Sequence, residues 1–310
     1  MTPSPISIVF QNYSHPYYPG DTVLGVVRLK NPEPLDAKSV MIQWKGASKA
    51  WGFPFSDLKG KEKHLDGEEV VWKAGEKTQL LPIGFHEFPF KFMLPQVCPP
   101  SFHSPDGSTI YKVKVEIDRA LKSNMRMEKE FLVTRKLSYK EAEGYGKEDT
   151  LVGACMRRPT WMFKKELVFL RIWLPKKNFY PGQETFFEFT VTNDSNTPVK
   201  EIYISLNQSC HYHATALRSP CLKLNSSSCP LNHRHKSYKT HQIGKESRMK
   251  VMVAPWTKKS FEVPFKFKEG YMAPNFATGL MTMGHFLKFG FVAENGFRGS
   301  RTVTVFMEYL

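Results

Sequence analysis

The 310-residue sequence lacks the usual features of secreted, membrane-spanning and disulfide-rich proteins. Its first ten residues contain no Lys or Arg, and Pro3 and Pro5 interrupt the apolar stretch, so they do not resemble a signal peptide. The uncharged run 271–287 has 17 residues and contains Pro274 and His285, which makes it too short and too polar to span a bilayer. Five cysteines are an odd number, typical of reduced thiols. We therefore expect a cytoplasmic protein.

Motifs of common enzymes are also absent from the sequence. There is no G-x-S-x-G, no P-loop, no G-x-G-x-x-G and no H-E-x-x-H. Catalytic groups can lie far apart in sequence, so this absence alone decides little, but it favours a binding protein over an enzyme. We expect no catalytic residues and no cofactor.

Acidic residues are scarce in one half of the chain. Residues 1–150 contain 21 Lys or Arg and 19 Asp or Glu, whereas residues 151–310 contain 23 and 10. The net charge of +15 therefore divides into +2 and +13. Residues 211–250 alone carry 8 basic residues and 1 acidic residue, together with five of the ten histidines. A chain this basic usually meets an acidic partner, such as a nucleic acid or an anionic lipid surface.

The sequence contains an internal repeat. Residues 17–21, Tyr-Tyr-Pro-Gly-Asp, recur 162 positions later as Phe-Tyr-Pro-Gly-Gln at 179–183. Residues 88–92, Phe-Pro-Phe-Lys-Phe, recur 175 positions later as Val-Pro-Phe-Lys-Phe at 263–267. The difference between the two offsets predicts about 13 extra residues in the second copy, between positions 206 and 263. Two copies also agree with the two domains of ~150 residues that this length suggests.

Each copy has the pattern of antiparallel β-strands. Residues 111–118 alternate Tyr, Val, Val and Ile with Lys, Lys, Glu and Asp, and residues 187–191 alternate Phe, Phe and Val with Glu and Thr. A period of two predicts strands with one buried and one wet face, as in a sandwich. Pro and Gly in the Tyr-Pro-Gly element suit a turn. The polar stretch 138–150 has two Gly and is typical of an inter-domain linker.

Four motifs carry a resemblance to a known family. They are Tyr-Tyr-Pro-Gly-Asp-x-Val-x-Gly-x-Val at 17–27, Leu-Pro-Ile-Gly-Phe-His-Glu-Phe-Pro-Phe at 81–90, Pro-Pro-Ser-Phe at 99–102 and Tyr-Lys-Val-Lys-Val-Glu-Ile-Asp-Arg at 111–119. Their order and spacing resemble those of arrestin domain-containing proteins, the α-arrestins, and the resemblance covers about residues 10–310. It implies an all-β arrestin fold of two antiparallel, immunoglobulin-like, seven-stranded sandwiches in tandem.

The predicted domains follow from the repeat and the resemblance together. An arrestin N-terminal-like β-sandwich is expected at 1–137, a linker at 138–155 and an arrestin C-terminal-like β-sandwich at 156–310. The second sandwich is expected to hold a basic loop insert, rich in His and Cys, near 211–250.

The resemblance implies a non-enzymatic adaptor. Its partners would be cytosolic tails or loops of membrane proteins, whose trafficking, endocytosis or ubiquitin-dependent sorting it would direct at the plasma membrane or endosomes. These 310 residues hold no Pro-Pro-x-Tyr motif for recruiting a ubiquitin ligase, so we expect that contact to be indirect. Two alternatives stay open within the fold. One is a trafficking-coat subunit like the arrestin-like retromer component, and the other is a redox-linked α-arrestin that pairs with thioredoxin through a cysteine.

One group of residues has the chemistry of metal ligands. Thiolates and imidazoles are the ligands that zinc prefers, and a closed site needs four of them. The spacings do not match a known zinc finger, although histidines at i and i+2 of a strand face the same side. We favour an exposed basic loop without a metal and keep zinc as the weaker alternative. The candidate ligands are Cys210, His211, His213, Cys221, Cys229, His233 and His235.

The basic residues of the same segment form a second candidate site. Near an anionic leaflet each Lys or Arg contributes about 1 kcal/mol, and the alternative is a solvated loop that contacts nothing. Nucleic acid is not expected, because no recognisable nucleic-acid-binding module is present and the aromatic residues alternate into strands. The candidate lipid contacts are Arg218, Lys223, Arg234, Lys236, Lys239, Lys245, Arg248 and Lys250.

Overall fold

Alternating apolar residues form strands in the computed structural model, as the sequence predicts. Tyr111, Val113 and Val115 are buried, whereas Lys112 and Lys114 between them are partly exposed. The structure describes residues 5–12, 14–53, 57–75, 80–120, 122–136, 148–156, 166–174, 176–221, 229–232 and 234–308, with 148–156 and 166 described by their backbone. Every regular element in these ranges is a β-strand, and no helix among them is long and apolar enough to cross a membrane.

The N-terminal sandwich consists of nine strands in two sheets. The strands are β1 (Ile6–Phe10), β2 (Thr22–Asn31), β3 (Leu35–Ala50), β4 (Gly60–Lys73), β5 (Leu80–Leu81), β6 (Gly84–Met93), β7 (Phe102–Ser104), β8 (Gly107–Arg119) and β9 (Met125–Phe131). One sheet has the order β1-β2-β6. The other has the order β4-β3-β8-β7, with β5 beside β3 and β9 beside β8.

The C-terminal sandwich repeats this arrangement. Its strands are β10 (Glu148–Met156), β11 (Glu166–Leu174), β12 (Asn178–Phe179), β13 (Glu184–Asp194), β14 (Val199–His213), β15 (Lys236–Val253), β16 (Thr257–Lys266), β17 (Phe276–Ala277), β18 (Met281–Ala293) and β19 (Arg298–Met307). One sheet has the order β10-β11-β13-β16. The other has the order β12-β19-β18-β14-β15, with β17 beside β18. Two tandem, mainly antiparallel sandwiches are the fold that the resemblance implies, although the described residues form nine and ten strands rather than seven in each, and β12 pairs with β19 in parallel.

The repeated Tyr-Pro-Gly element forms the same turn in both copies. Gly20 and Gly182 adopt φ values of 85° and 79°, which a residue with a Cβ rarely adopts. The Asp21 amide donates to Tyr18 O at 3.0 Å, and the Gln183 amide donates to Tyr180 O at 3.1 Å. The sequence repeat is therefore also a structural repeat.

Each sandwich has its own core, and a third apolar cluster joins them. In this interface cluster Ala50, Phe53 and Phe102 of the first copy meet residues of the second copy. Those residues include Cys210, Tyr212, Ala273, Phe276, Leu280, Met281 and Met283. Phe102 and Phe276, which are 174 positions apart in the repeat, pack with their ring centroids 5.5 Å apart. Equivalent positions of the two copies thus meet at the interface.

Two predicted boundaries differ from the structure. Residues 148–155, which the prediction places in the linker, belong to β10 (Glu148–Met156) and pair with β11. Residues 138–147 of that linker lie outside the described residues. Of the insert near 211–250, residues 211–213 belong to β14 and residues 236–250 belong to β15, so the connecting loop is confined to 214–235. β15 packs Ile243, Met249 and Val251 against the core, but polar residues fill most of its other positions, so its sequence lacks a continuous apolar alternation.

The extra residues of the second copy lie where the repeat predicts them. The β14–β15 connection spans positions 214–235, which is 22 residues, and the equivalent β3–β4 connection spans 51–59, which is 9 residues. The difference of 13 residues equals the predicted insertion. This longer connection, here called the β14–β15 loop, brings two cysteines into the C-terminal sandwich.

Candidate functional site

The end of β14 presents different side chains on its two faces. Cys210 and Tyr212 face the interface cluster between the sandwiches. His211 and His213 lie on the opposite face, and their ring centroids are 4.6 Å apart. Both histidines are fully buried, with no exposed side-chain fraction. The strand period therefore brings two imidazoles together in a site closed to solvent.

The β14–β15 loop folds back over this face of β14. The Leu217 amide donates to Gly279 O at 2.8 Å. Farther along the loop, the carbonyl oxygen of Cys221 accepts a hydrogen bond from the hydroxyl of Thr282 in β18. Thr282 is also the partner of His211 across the ladder between β14 and β18. The loop path therefore holds Cys221 beside His211.

Four ligand-type side chains converge there: His211, His213, Cys221 and Cys229. One donor atom of each lies within 4.8 Å of the donor atoms of the other three. The Sγ of Cys221 is 3.8 Å from Nδ1 of His211, and the Sγ of Cys229 is 3.3 Å from Nε2 of His213. We call these four residues the Cys/His cluster. Burial lowers the pKa of the His213 imidazole and raises the pKa of the Cys229 thiol, because a desolvated site disfavours charge.

The remaining candidate ligands are not part of this cluster. Cys210 lies on the other face of β14, where burial raises the pKa of its thiol to about 12. His235 is exposed, and its backbone amide donates to Asn232 O at 3.1 Å. His233 lies outside the described residues. The structure therefore brings together four of the seven residues, a choice that spacing alone could not make.

A groove lies on the outer face of the β1-β2-β6 sheet. Its volume is about 1060 Å³, and it is lined by Thr22, Leu24 and Val26 of β2 and by Pro89, Lys91 and Met93 of β6. Leu24 and Met93 are 38% and 64% exposed. We call this surface the N-terminal groove. None of the residues predicted to form a site lies in this groove, although an apolar residue at an outward position of an alternating strand, such as Leu24, is a signal for such a surface.

The equivalent surface of the second copy is smaller. Its volume is about 380 Å³, and it is lined by Glu184, Phe186, Pro264 and Lys266, with residues 245–247 of β15 at the rim. The Ser247 hydroxyl donates to Pro264 O at 2.7 Å across it. Lys266 lies 3.3 Å from a Glu184 oxygen and 3.1 Å from a Glu269 oxygen. We call this surface the C-terminal groove, and its polar contacts narrow it.

Comparison with known protein families assigns the two copies. The family described as "Arrestin (or S-antigen), N-terminal domain" matches residues 54–140. The family described as "Arrestin (or S-antigen), C-terminal domain" matches residues 164–305, so that together the matches cover more than half of the chain. The chain belongs to the α-arrestin family. The expectation from its four motifs is confirmed, and the α-arrestin family consists of arrestin-like adaptors.

Curated α-arrestins are similar to parts of this chain. "Arrestin domain-containing protein 17" of Caenorhabditis elegans is 28% identical over 143 residues, which cover 41% of this chain and 33% of that protein. "Arrestin domain-containing protein 1" of Rattus norvegicus is 30% identical over 109 residues, 33% of this chain and 23% of that protein. "Arrestin domain-containing protein B" of Dictyostelium discoideum is 22% identical over 247 residues, which cover 78% of this chain and 38% of that protein. The chain thus spans less than half of the length of these relatives.

The basic residues of this α-arrestin are spread over both faces of β15 and the β14–β15 loop. Lys239 is opposite Cys210, on the interface side, whereas Lys250 is opposite Glu201, on the other face. Lys236 donates to Cys229 O at 3.4 Å. Lys245, at the rim of the C-terminal groove, is exposed, as are Arg218 and Arg234, and Lys223 lies outside the described residues.

Arg248 is held by acidic neighbours. Its guanidinium contacts Glu201 and lies 2.6 Å from a Glu246 oxygen, and it stacks 5.5 Å from the centre of the Tyr203 ring. These carboxylates, chiefly Glu246, raise the pKa of Arg248. A cation paired in this way contributes less to binding an external anionic surface than the exposed lysines Lys239, Lys245 and Lys250 do.

Proposed function

We propose that this α-arrestin is a non-enzymatic adaptor that binds cytosolic segments of membrane proteins and directs their trafficking, endocytosis or ubiquitin-dependent sorting. Its place would be in the cytoplasm, at the periphery of the plasma membrane or endosomes. The observation that carries the proposal is the N-terminal groove, an open surface with exposed apolar residues on a sandwich of the arrestin family.

The strand order supports an extended ligand in this groove. In the described part of the chain, β6 ends the order β1-β2-β6, so one side of its backbone faces outward. Edge strands accept an additional strand through main-chain hydrogen bonds, while pockets for alternate side chains give selectivity. Pro89 removes one donor and is tolerated at an edge. A segment beside β6 would place apolar side chains over Leu24 and Met93.

The charges at the rim suggest which segments fit. Lys91 of β6 and Glu69 of β4 both line the N-terminal groove. Exposed charges of opposite sign contribute mainly to orientation and association rate rather than to affinity. We therefore expect extended segments with alternating apolar residues, and with an acidic residue positioned to meet Lys91.

Contact with an anionic membrane surface is a secondary part of the proposal. The exposed residues Lys239, Lys245 and Lys250 would supply it. Sedimentation with phosphatidylserine vesicles should show binding that weakens as salt rises, because exposed charges are screened. Equal binding to neutral vesicles would contradict this part and leave the groove unaffected.

Proximity labelling in cells tests the adaptor function. The full chain should label membrane proteins, and the double variant Leu24→Glu/Met93→Glu should lose most of that labelling, because two carboxylates would be buried under the ligand. The matched control is Phe186→Glu in the C-terminal groove, which is 63% exposed and should leave the labelling unchanged. Absence of membrane proteins from the labelled set would contradict the proposal, as would equal loss in both variants.

Purification of the chain together with its bound partners separates the adaptor from the two alternatives. A stoichiometric complex that survives purification would favour a coat subunit, and a mixed disulfide removed by reductant would favour the thioredoxin-linked function. Burial raises the pKa of the thiols of Cys98 and Cys210, and a buried thiol is a poor nucleophile. These two cysteines therefore lend the redox alternative no support.

A further inference from the structure

We propose that His211, His213, Cys221 and Cys229 bind one zinc ion. The site goes beyond the adaptor function and does not depend on it. Zinc bonds of about 2.3 Å to sulfur and 2.0–2.1 Å to nitrogen give a tetrahedron with edges of about 3.3–3.8 Å. The two sulfur–nitrogen distances of 3.3 and 3.8 Å match these edges, and all four donor atoms lie within 4.8 Å of one another.

The orientation of His213 fits a metal ligand. Its Nδ1 is 2.9 Å from Gly279 O, so this nitrogen carries the proton and donates it to the carbonyl. The other nitrogen, Nε2, then has a free lone pair on the side of Cys229. Ligating histidines usually donate their second ring nitrogen to a carbonyl or carboxylate, which fixes the tautomer and the ring plane.

Charge and burial favour a structural site. Two thiolates neutralise the two positive charges of zinc, and the histidines bind as neutral imidazoles. His211 and His213 are fully buried, Cys229 is 9% exposed and Cys221 is partly exposed, so the position is mostly shielded from solvent. Two sulfur and two nitrogen ligands in a tetrahedron select zinc over magnesium or calcium, which prefer oxygen. A closed site with four protein ligands has no open position for substrate.

The site belongs to the second copy alone among the described residues. Its two cysteines come from the β14–β15 loop, which is 13 residues longer than its counterpart in the first copy. That counterpart, residues 51–59, contains neither Cys nor His. The insertion therefore supplies half of the ligands, and the strand already present in the repeat supplies the other half.

A zinc ion here would fix the loop to β14 and steady the domain interface. The His213 amide donates to Leu280 O at 2.8 Å, and the Leu280 amide donates to Glu62 of the first sandwich at 3.1 Å. Gly60 of β4 packs so closely that a Cβ there would lie 2.6 Å from His213 O. Removal of the metal should therefore increase hydrogen exchange in the β14–β15 loop and around Gly60.

Metal analysis of the full chain, purified under reducing conditions without chelator, tests the proposal. We expect about one zinc per chain, with occupancy lost in Cys221→Ser and Cys229→Ser, since zinc binding requires the thiolates. The matched control is His235→Gln, an exposed histidine of the same loop, which should keep its zinc. The loss of affinity should exceed the roughly 10–100-fold that removal of a single outer hydrogen bond causes.

A second measurement does not depend on the variants folding. Cobalt added to the metal-free chain should give the intense visible bands of a tetrahedral ion and a sulfur-to-cobalt charge-transfer band. Fewer than about one zinc per ten chains, with no uptake of added zinc or cobalt, would overturn the proposal. So would full zinc occupancy in both cysteine variants, or a Cys221–Cys229 disulfide that persists under reducing conditions.

Discussion

The two sandwiches share a fold and differ in what they expose. The first copy is almost neutral and has a groove of about 1060 Å³, while the second carries most of the positive charge and has a groove of about 380 Å³. The β3–β4 connection of the first copy has 9 residues, and the equivalent β14–β15 connection of the second copy has 22. The two copies thus share the Tyr-Pro-Gly turns and the sandwich cores, whereas their surfaces differ, with an open groove in the first copy and the Cys/His cluster in the second.

The cores have also diverged at equivalent positions. Gly25 of β2 leaves room for the Phe90 ring, because a Cβ on Gly25 would lie 2.3 Å from the Phe90 Cζ. The equivalent residue 162 positions later is Phe187, which packs on Phe289 with ring centroids 5.4 Å apart. At these two equivalent positions the second core therefore has the aromatic rings of Phe187 and Phe289, where the first core has Gly25 and Val115.

The largest expected effect comes from this aromatic core. Phe289→Ala should lower the unfolding free energy of the C-terminal sandwich by about 3–5 kcal/mol, because a fully buried ring leaves a cavity. Val115 is the equivalent residue of the first copy, because it pairs with Ile42 as Phe289 pairs with Ile204. Val115→Ala removes fewer atoms and should lower the unfolding free energy of the first sandwich by less. Hydrogen exchange of β18 and β8 in denaturant separates the two sandwiches. A larger loss from Val115→Ala would contradict the comparison.

Acid should destabilise the second sandwich more than the first. His285 accepts from Gln208 Nε2 at 3.4 Å and donates from Nδ1 to Asn275 at 2.9 Å, and burial lowers its pKa to about 4. The unfolded chain binds this proton near pH 6.5, so stability is full above that pH and declines as pH falls toward 4. The loss is on the order of 3 kcal/mol.

The His285→Gln variant isolates this effect. Its stability should depend less on pH between 6.5 and 4 than that of the unchanged chain, as judged by hydrogen exchange in β18. Tyr111 holds the equivalent position in the first copy, and burial raises the pKa of its hydroxyl, so that position contributes no matching transition. Burial also lowers the pKa of His64 in β4, and any acid transition in β8 that comes from His64 should persist in His285→Gln. Identical pH profiles for the variant and the unchanged chain would refute the assignment.

Two buried asparagines at equivalent positions of the copies, Asn31 and Asn193, should contribute different amounts to the free energy of unfolding. Asn193 donates to Thr197 O, Val253 O and Ala254 O, and Asn31 donates to Leu81 O and Pro82 O. Each substitution by Ala leaves buried carbonyls without this donor and should cost about 1–3 kcal/mol. Asn193→Ala should lower the free energy of unfolding more than Asn31→Ala does, since Asn193 donates hydrogen bonds to more carbonyls and is fully buried. Chemical denaturation of the two variants measures the order, and equal losses would argue against it.

The smallest expected effect concerns the C-terminal groove. Ser247→Ala removes the hydroxyl that donates to Pro264 O and should cost about 0.5–1.5 kcal/mol, with faster exchange in β16. The control Glu69→Ala, at the rim of the N-terminal groove, should leave exchange in β6 unchanged. If β16 exchange did not change in Ser247→Ala, this bond would not be what narrows the groove.

Local sequence patterns predict the repeated turns and the alternating strands. The edge strand β15 and the Cys/His cluster depend instead on contacts between residues far apart in the sequence. The Tyr-Pro-Gly turns and the alternation around Tyr111 report backbone geometry directly, so both were predictable. β15 was not, because polar residues fill most of its positions and leave no continuous apolar period, although Ile243, Met249 and Val251 pack against the core. The choice of His211, His213, Cys221 and Cys229 among seven candidates depends on how the β14–β15 loop folds back, which spacing does not encode.

The most direct test of the adaptor function is site-specific photo-crosslinking in cells. A photoreactive side chain at Leu24 in the N-terminal groove is compared with one at Phe186, the equivalent position of the C-terminal groove. We expect crosslinks from position 24 to cytosolic segments of membrane proteins, and only background from position 186. Background crosslinking at position 24, or the same partners captured equally at both positions, would contradict it.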